Sequence, residues 1–356
     1  NCNLMKAFYF KHTLNFHNPS GTSRGVLNQK ESWFIIIYGD NKTGIGECSL
    51  IKGLSPDPKN NFEQTLKKVC ENISEGYNAL SPSLNSYPSI LFGLETAFRS
   101  LESSDPMELF PSEFTKNQAS IPINGLIWMG GINFMINQIK EKIDAGFDCI
   151  KIKIGSLDFK TEIDLIKSIR KEYSLKDLEI RVDANCAFSF SESLEKLKKL
   201  SDFCIHSIEQ PIQTRQWENM AFLCEKSPLA IALDEELINV LDSEKQKMIE
   251  LINPEYLILK PSLLGGLKKC EDWITIAENS NVKWWATSAL ESNIGLNAIA
   301  QWVYKKTTNM KQGLGTGKLF SNNISSPYVI KEGQLKYSTE NNWDLSLFDH
   351  QKKLLL

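Results

Sequence analysis

The sequence is poor in histidine, and its cysteines form no CxxC pair. Four histidines and eight scattered cysteines disfavour a zinc site and indicate reduced thiols. The net charge of −3 gives no basic excess that would favour nucleic acid. No apolar run approaches the roughly 18 residues that span a bilayer, and the first residues show no signal-peptide core. We therefore expect a cytoplasmic protein without membrane or nucleic-acid partners, while its oligomeric state stays open.

Residues 1–115 carry patterns typical of a small α+β domain. The runs MKAFYFKHTLNF, SWFIIIYGD and IGECSL predict antiparallel strands, and a helical pattern extends from about Asn61 to Ser103. The polar segment HNPSGTSRGVLNQK, between the first two strands, predicts a mobile loop. The segment IKGLSPDPKN predicts a second loop.

From residue 116 to 320, short apolar runs alternate with amphipathic helical stretches. In the stretch FSESLEKLKKLSD, for example, the leucines share one side, and Ser189, just before it, has capping-box spacing to Glu192. The eight apolar runs are SIPINGLIWM, CIKIKIG, LEIRVDAN, FCIHSIEQP, LAIALDEE, YLILKPS, VKWWATSAL and the weaker KQGLGTG. This α/β alternation predicts a (β/α)8 barrel, with an open doubly wound sheet as the alternative. Residues 321–356 are predicted to pack on the N-terminal α+β domain and so complete a capping domain.

A charged residue lies near the end of each of five consecutive predicted strands. They are Lys153, Asp183, Glu209, Asp234 and Lys260, and the last four are 26, 25 and 26 residues apart. This spacing matches one strand–helix unit of a compact barrel, so the same rung should recur on each strand. We expect these side chains to converge at the C-terminal rim, where barrel active sites lie.

The three acids of this series predict a metal site. Asp183, Glu209 and Asp234 would repel one another unless a cation lay between them. Oxygen ligands without His or Cys favour Mg²⁺ over Zn²⁺. Asn185 points the same way as Asp183 and either assists the site or caps the next helix. Glu235 should face away from the site, as a first-turn residue of the next helix.

The lysines on either side of the acids predict proton transfer. A desolvated lysine near a divalent cation has a lowered pKa and can act as a base. Lys153 precedes the acids and Lys260 follows them, so the two should lie on opposite sides of the metal. This arrangement suits removal of a proton α to a carboxylate, with the metal stabilising the enediolate.

These motifs resemble those of the enolase superfamily, in the muconate-lactonizing-like subgroup. They are KIK at 151–153, VDAN at 182–185, IEQP at 208–211, LDE at 233–235 and LKPS at 259–262. The resemblance spans the whole barrel, and the N-terminal segment fits the capping domain of that superfamily. It implies Mg²⁺ as cofactor, with Mn²⁺ as a possible substitute, and a small carboxylate as substrate.

Further stretches are similar to members of the superfamily that dehydrate 2-succinyl-6-hydroxy-2,4-cyclohexadiene-1-carboxylate in menaquinone biosynthesis. They are TSRGVL, GLSPD, PINGLIWMG, ALDEEL, SALESNIGLNAIAQW and GLGTG. The resemblance implies a lyase in which Lys153 takes the α-proton and then protonates the leaving hydroxyl. Lys260 would stabilise the enediolate as a cation, and Lys151 would lower the pKa of Lys153 and touch the substrate carboxylate.

Racemisation of N-succinylamino acids is the main alternative, because it would use both lysines as bases and bind the same succinyl tail. A dipeptide epimerase would need an acid near the eighth strand, and GLGTGK has none. For the succinyl carboxylate, Ser288 and Gly315 could supply a hydroxyl or amide, and Arg24 could close over the site. A hydrolase is disfavoured because there is no G-x-S-x-G elbow and His206 should point away from the site.

Overall fold

The computed structural model describes residues 5–22, 25–306 and 308–355. Its N-terminal part is a three-stranded antiparallel sheet, in the order β1-β2-β3, with the first three helices packed on one face. A Cβ atom at Gly46 would lie 1.9 Å from the carbonyl oxygen of Gly93, so glycine lets a helix backbone approach the third strand closely. The elements are β1 (Lys6–Thr22), β2 (Gly25–Gly39), β3 (Lys42–Leu50), α1 (Phe62–Glu71), α2 (Tyr77–Leu80) and α3 (Pro88–Glu102).

The first predicted loop is wrong, because most of that segment continues the β1–β2 hairpin. Pairing resumes after an irregularity between Asn15 and Ser20 and reaches Thr22 opposite Gly25. In the extended part of the hairpin, Gly21 forms an antiparallel bridge to Met129 in the barrel, a contact that local polarity does not reveal. The second predicted loop is correct for residues 51–58, which form no helix or strand, while Lys59 and Asn60 begin a 3-10 helix.

The next part of the chain alternates strands and helices, and seven of its described strands form a parallel sheet in the order β11-β10-β9-β8-β7-β6-β5. Ile150, Ile152 and Ile154 pack in the core between this sheet and the helices. The elements are β4 (Ser120–Pro122), β5 (Gly125–Ile127), α4 (Ile132–Asp144), β6 (Cys149–Lys153), α5 (Phe159–Glu172), β7 (Glu179–Asp183), α6 (Phe190–Ser201), β8 (Ser207–Glu209), α7 (Trp217–Lys226), β9 (Ile231–Leu233), α8 (Lys245–Ile252), β10 (Tyr256–Leu259), α9 (Pro261–Leu264), α10 (Leu267–Asn279), β11 (Lys283–Ala286) and α11 (Asn293–Tyr304).

The weak eighth run closes this sheet into a barrel. Gln312 forms a parallel bridge to Ile123 on one side, and Gly313 forms one to Thr287 on the other. The Gln312 amide donates to the Pro122 carbonyl at 2.8 Å, and the Gly313 amide donates to the Ala286 carbonyl at 2.8 Å. The barrel prediction is therefore confirmed, and the open-sheet alternative is wrong.

The C-terminal segment contains β12 (Tyr328–Lys331), β13 (Gln334–Tyr337) and α12 (Ser346–Leu355). β13 pairs antiparallel with β4, and the ring of Phe348 in α12 packs on Phe10 and Phe34 of the N-terminal sheet. The segment thus contacts both halves of the molecule, while the predicted domain limits at residues 115 and 320 stay predictions. Within the described ranges, no helix combines the length and apolarity needed to cross a membrane.

Candidate active site

The structure brings the five predicted charged residues together at the C-terminal rim of the barrel. Lys153, Asp183 and Glu209 are register partners on β6, β7 and β8. The next two do not continue that rung, because Glu209 pairs with Ala232, so Asp234 lies two residues further up. This offset is the stagger that a closed barrel requires, which equal sequence spacing does not reveal.

The three carboxylates form a buried cluster that fits a metal ion. One oxygen each from Asp183, Glu209 and Asp234 lies within 4.8 Å of the other two. Oε1 of Glu209 is buried and has no hydrogen-bond partner among the described residues. Burial, together with repulsion from Asp183 and Asp234, raises the pKa of Glu209 to about 8 despite the attraction of Lys151. A hard divalent cation would satisfy the free oxygen and relieve this repulsion.

Three lysines surround the carboxylates. Nζ of Lys151 lies 2.7 Å from Glu209 and 3.2 Å from Asp183. Nζ of Lys153 lies 2.9 Å from Asp183, and Nζ of Lys260 lies 2.5 Å from Asp234. Because β7, β8 and β9 lie between β6 and β10, Lys153 and Lys260 occupy opposite sides of the cluster.

The environments of these lysines push their pKa values apart. Burial lowers the pKa of Lys153, and the neighbouring cations Lys151 and Lys260 add to this effect against the attraction of Asp183. Burial also opposes the charge on Lys260, but Asp234 and Glu235 outweigh it and the pKa is raised. Glu209 and Asp183 likewise raise the pKa of Lys151 against its burial. Lys153 is therefore the lysine of the three best suited to act as a neutral base.

Asn185 serves Lys153 rather than the next helix. Its Oδ1 accepts a hydrogen bond from Nζ of Lys153 at 2.7 Å, and its Nδ2 donates to Oε1 of Glu235 at 3.0 Å. Helix α6 is capped instead by Ser189 with Glu192, as its capping-box spacing predicts.

The prediction that Glu235 faces away from the site is wrong. Strand β9 ends at Leu233, and the backbone turns at Asp234 into a 3-10 turn over Glu235–Leu237. Strand alternation therefore stops before Glu235, and its buried carboxylate lies next to Asn185. The acidic run DEE was the sequence signal, and its side chains could not be oriented without the turn.

A cavity of about 550 Å³ opens above these residues. Lys151, Lys153, Asn185 and Lys260 line it, as do Ser288 and Gly315. The rest of the wall comes from the barrel and from two cap segments, residues 25–27 and 51–54. Arg24 lies outside the described residues, although the adjacent Gly25 and Val26 line the cavity. Lys52, on the second predicted loop, also lines the cavity, and no sequence pattern assigned it a role.

The hydroxyl of Ser288 is already used within the protein. It donates to Oε2 of Glu291 at 2.6 Å and accepts from Thr316 Oγ1 at 2.8 Å and from the Leu290 amide at 3.0 Å. Glu291 also accepts from Ser262, two residues after Lys260, at 2.5 Å. Ser288 thus donates its hydroxyl proton to Glu291 and helps to fix the cavity wall that it lines.

A buried carboxylate of the N-terminal sheet holds the same wall from outside. Both oxygens of Glu47, on β3, accept hydrogen bonds at the start of α11: from the Ser292 amide at 2.9 Å, from Ser292 Oγ at 2.6 Å and from the Gly295 amide at 2.9 Å. Ser32 Oγ donates a fourth bond at 2.6 Å. Because α11 begins shortly after the wall residues 287–290, Glu47 ties the sheet to the cavity.

His206 lies at the opposite end of the barrel from these groups. It immediately precedes β8, its ring centroid is 4.9 Å from that of Tyr256, and Nδ1 is 2.9 Å from Ser207 Oγ. His206 therefore lies away from the site, as predicted.

Residues 135–340 match the family model described as enolase C-terminal domain-like. The chain therefore belongs to the enolase superfamily, the class that the barrel and its rim of acids and lysines define. A relative from Desulfotalea psychrophila, an o-succinylbenzoate synthase, is 43% identical over 94% of this chain and 99% of its own length. Within the superfamily, the chain is thus a member of the o-succinylbenzoate synthase family, an enzyme of the lyase class.

Two further similarities agree with this family membership. The crystal structure of MenC from Desulfotalea psychrophila superposes with a TM-score of 0.84 at 40% identity, covering 93% of this chain and 99% of that one. An L-amino acid-D/L-Glu epimerase from Sulfurimonas denitrificans is 27% identical over 71% of this chain and 75% of its own length. The epimerase represents the alternative activity of the superfamily.

Proposed function

We propose that this protein converts 2-succinyl-6-hydroxy-2,4-cyclohexadiene-1-carboxylate to 2-succinylbenzoate by syn dehydration, in menaquinone biosynthesis. The observation that carries the proposal is the placement of Lys153 and Lys260 on opposite sides of a buried carboxylate trio, at the floor of one cavity. The membership of the chain in the o-succinylbenzoate synthase family supports the same reaction.

Asp183, Glu209 and Asp234 would hold a divalent cation, which we propose is Mg²⁺, with Mn²⁺ as a substitute. When bound, the cation would neutralise the negative charge that develops on the substrate carboxylate as the α-proton leaves. The unpartnered Oε1 of Glu209 supports this assignment.

Lys153 is proposed as the base and then the acid. Its neutral amine takes the proton α to the ring carboxylate, and the electrons of that C–H bond become part of the new double bond. The resulting ammonium gives a proton to the leaving hydroxyl on the same face, the C–O bond breaks, and water departs. Burial of Lys153, which lowers its pKa, supports the neutral starting form.

Lys260 and Lys151 are proposed to act as cations. Lys260 stabilises the developing negative charge from the opposite face, and its raised pKa supports a permanent ammonium. Lys151 contacts the substrate carboxylate and keeps the pKa of Lys153 low by repulsion. Asn185 orients the amine of Lys153, while Ser288, Gly315 and Arg24 remain proposed contributors to the substrate pocket.

Racemisation of N-succinylamino acids is the second candidate, because Lys260 has the position of a second base. The two reactions need different states of Lys260: dehydration needs a cation there, and racemisation needs a group that takes and gives a proton. Arginine keeps the charge but does not exchange protons near neutral pH.

The test measures formation of 2-succinylbenzoate, racemisation of an N-succinylamino acid and solvent hydrogen exchange. Lys153→Ala should lower dehydration by about 100- to 10,000-fold, the range for loss of a general base. Lys260→Arg should retain measurable dehydration and lose racemisation. Lys198→Ala, an exposed lysine paired with Glu195 on α6, is the matched control. Near wild-type dehydration by Lys153→Ala would refute the assignment, and racemisation faster than dehydration in the wild type would favour the second candidate.

We infer that activity depends on the metal and takes place in the cytoplasm on a small carboxylate, without nucleic acid. Treatment with a chelator should abolish turnover, and added Mg²⁺ should restore it. Full activity after metal removal, checked by elemental analysis, would contradict the role proposed for the carboxylates.

A further inference from the structure

The charged side chains that line the substrate cavity are all of one sign. Among the described residues they are four lysines, Lys52, Lys151, Lys153 and Lys260. The last three lie at the floor and each is within 3.2 Å of a carboxylate oxygen. Lys52 differs from them, because it is exposed and makes no ion pair or hydrogen bond with the part of the chain that the structure describes.

Apolar side chains form much of the cavity lining that Lys52 shares. Leu27, Ile51, Leu54 and Leu290 are among them. Lys52 also lines an adjoining cavity, which shares Leu27, Ile51 and Leu290 with the first. Among the described residues, the substrate cavity therefore has a buried cationic floor and one further cation, Lys52, on the wall that the N-terminal domain contributes. That arrangement fits a ligand with two carboxylates separated by an apolar portion.

We propose that Lys52 binds the carboxylate at the end of the succinyl chain and so sets the preference for a substrate with a second negative charge. The inference rests on the proposed function, in which the ring carboxylate occupies the floor. The lysine is a cation on a flexible stem, so it can follow the tail carboxylate in either the dehydration or the racemisation substrate.

The kinetic test compares Lys52→Gln with the conservative Lys52→Arg. Loss of a partly exposed charge-assisted contact should raise KM about 5- to 10-fold, with a much smaller change in kcat, since Lys52 does not touch the reacting atoms. Lys52→Arg should restore most of the affinity. Lys59→Gln is the matched control, because Lys59 is an exposed lysine that lines only the adjoining cavity. An unchanged KM in Lys52→Gln, or an equal rise in Lys59→Gln, would overturn the proposal.

A binding test separates this inference from the reaction itself. Calorimetry with 2-succinylbenzoate and with benzoate measures how much the succinyl chain contributes to binding affinity, without turnover. Lys52→Gln should weaken the binding of 2-succinylbenzoate and leave the binding of benzoate unchanged. Arg24→Gln is measured in parallel, and a tail effect carried wholly by Arg24 would overturn the role of Lys52. If the wild type binds the succinyl chain through Lys52 but does not dehydrate the proposed substrate, the proposed function is refuted and the role of Lys52 in binding is retained.

Discussion

Replacing Glu47 with alanine should strongly destabilise the protein, although Glu47 does not line the cavity. Its side chain is fully buried and accepts four hydrogen bonds. The two serine hydroxyls can rotate to other partners, but the amides of Ser292 and Gly295 would lose theirs. At about 1–3 kcal/mol for each buried donor left unpaired, the two amides alone cost about 2–6 kcal/mol.

This loss is a large share of the roughly 5–15 kcal/mol that stabilises a typical domain. For a chain of this length it corresponds to a fall in Tm of about 3–8 °C. Thermal unfolding followed by circular dichroism, with urea unfolding as a second measure, would record it. Glu47→Gln should be milder, since its amide oxygen can still accept.

The matched control is Glu31→Ala on the neighbouring strand β2. Glu31 pairs with Lys11 at 2.5 Å, but its side chain is 53% exposed, so its removal should cost no more than about 1 kcal/mol. If Glu47→Ala and Glu31→Ala shifted Tm equally, the reasoning that Glu47 fastens the sheet to α11 would be refuted.

Two further predictions concern the metal and the pH. Glu209→Gln removes one of three anionic ligands, so calorimetric titration should show Mg²⁺ binding weakened at least about tenfold, and unchanged affinity would contradict the site. Burial raises the pKa of Glu95 from 4.5 to about 7, against hydrogen bonds from the Leu267 and Lys268 amides. The folded state therefore holds a proton that the unfolded state releases, and the stability contributed by this proton declines as pH rises from about 4.5 to 7. The free energy of unfolding, measured with urea at pH 5 and pH 8, should fall more for the wild type than for Glu95→Gln, by up to about 3 kcal/mol. Equal falls in the two proteins would refute the raised pKa of Glu95.

Much of the active site followed from local periodicity. Lys151 and Lys153 alternate with isoleucines on a strand buried on both faces, so their side chains had to enter the barrel. The three acids recur at the length of one strand–helix unit, which predicted their convergence at one rim. Both inferences need only the strand period and the connectivity of a parallel barrel.

The sequence by itself determined the barrel class, the five charged rim residues and the capping of α6, because each depends on neighbours a few residues away or on a repeat along the chain. Only the tertiary structure decided the upward offset of Asp234, the inward position of Glu235, the extended hairpin and the cation at Lys52. It also decided the bond from Ser292 to Glu47, which joins residues 245 positions apart. Such contacts depend on how the sheet docks on the barrel, and a pattern confined to one segment carries no information about its docking partner.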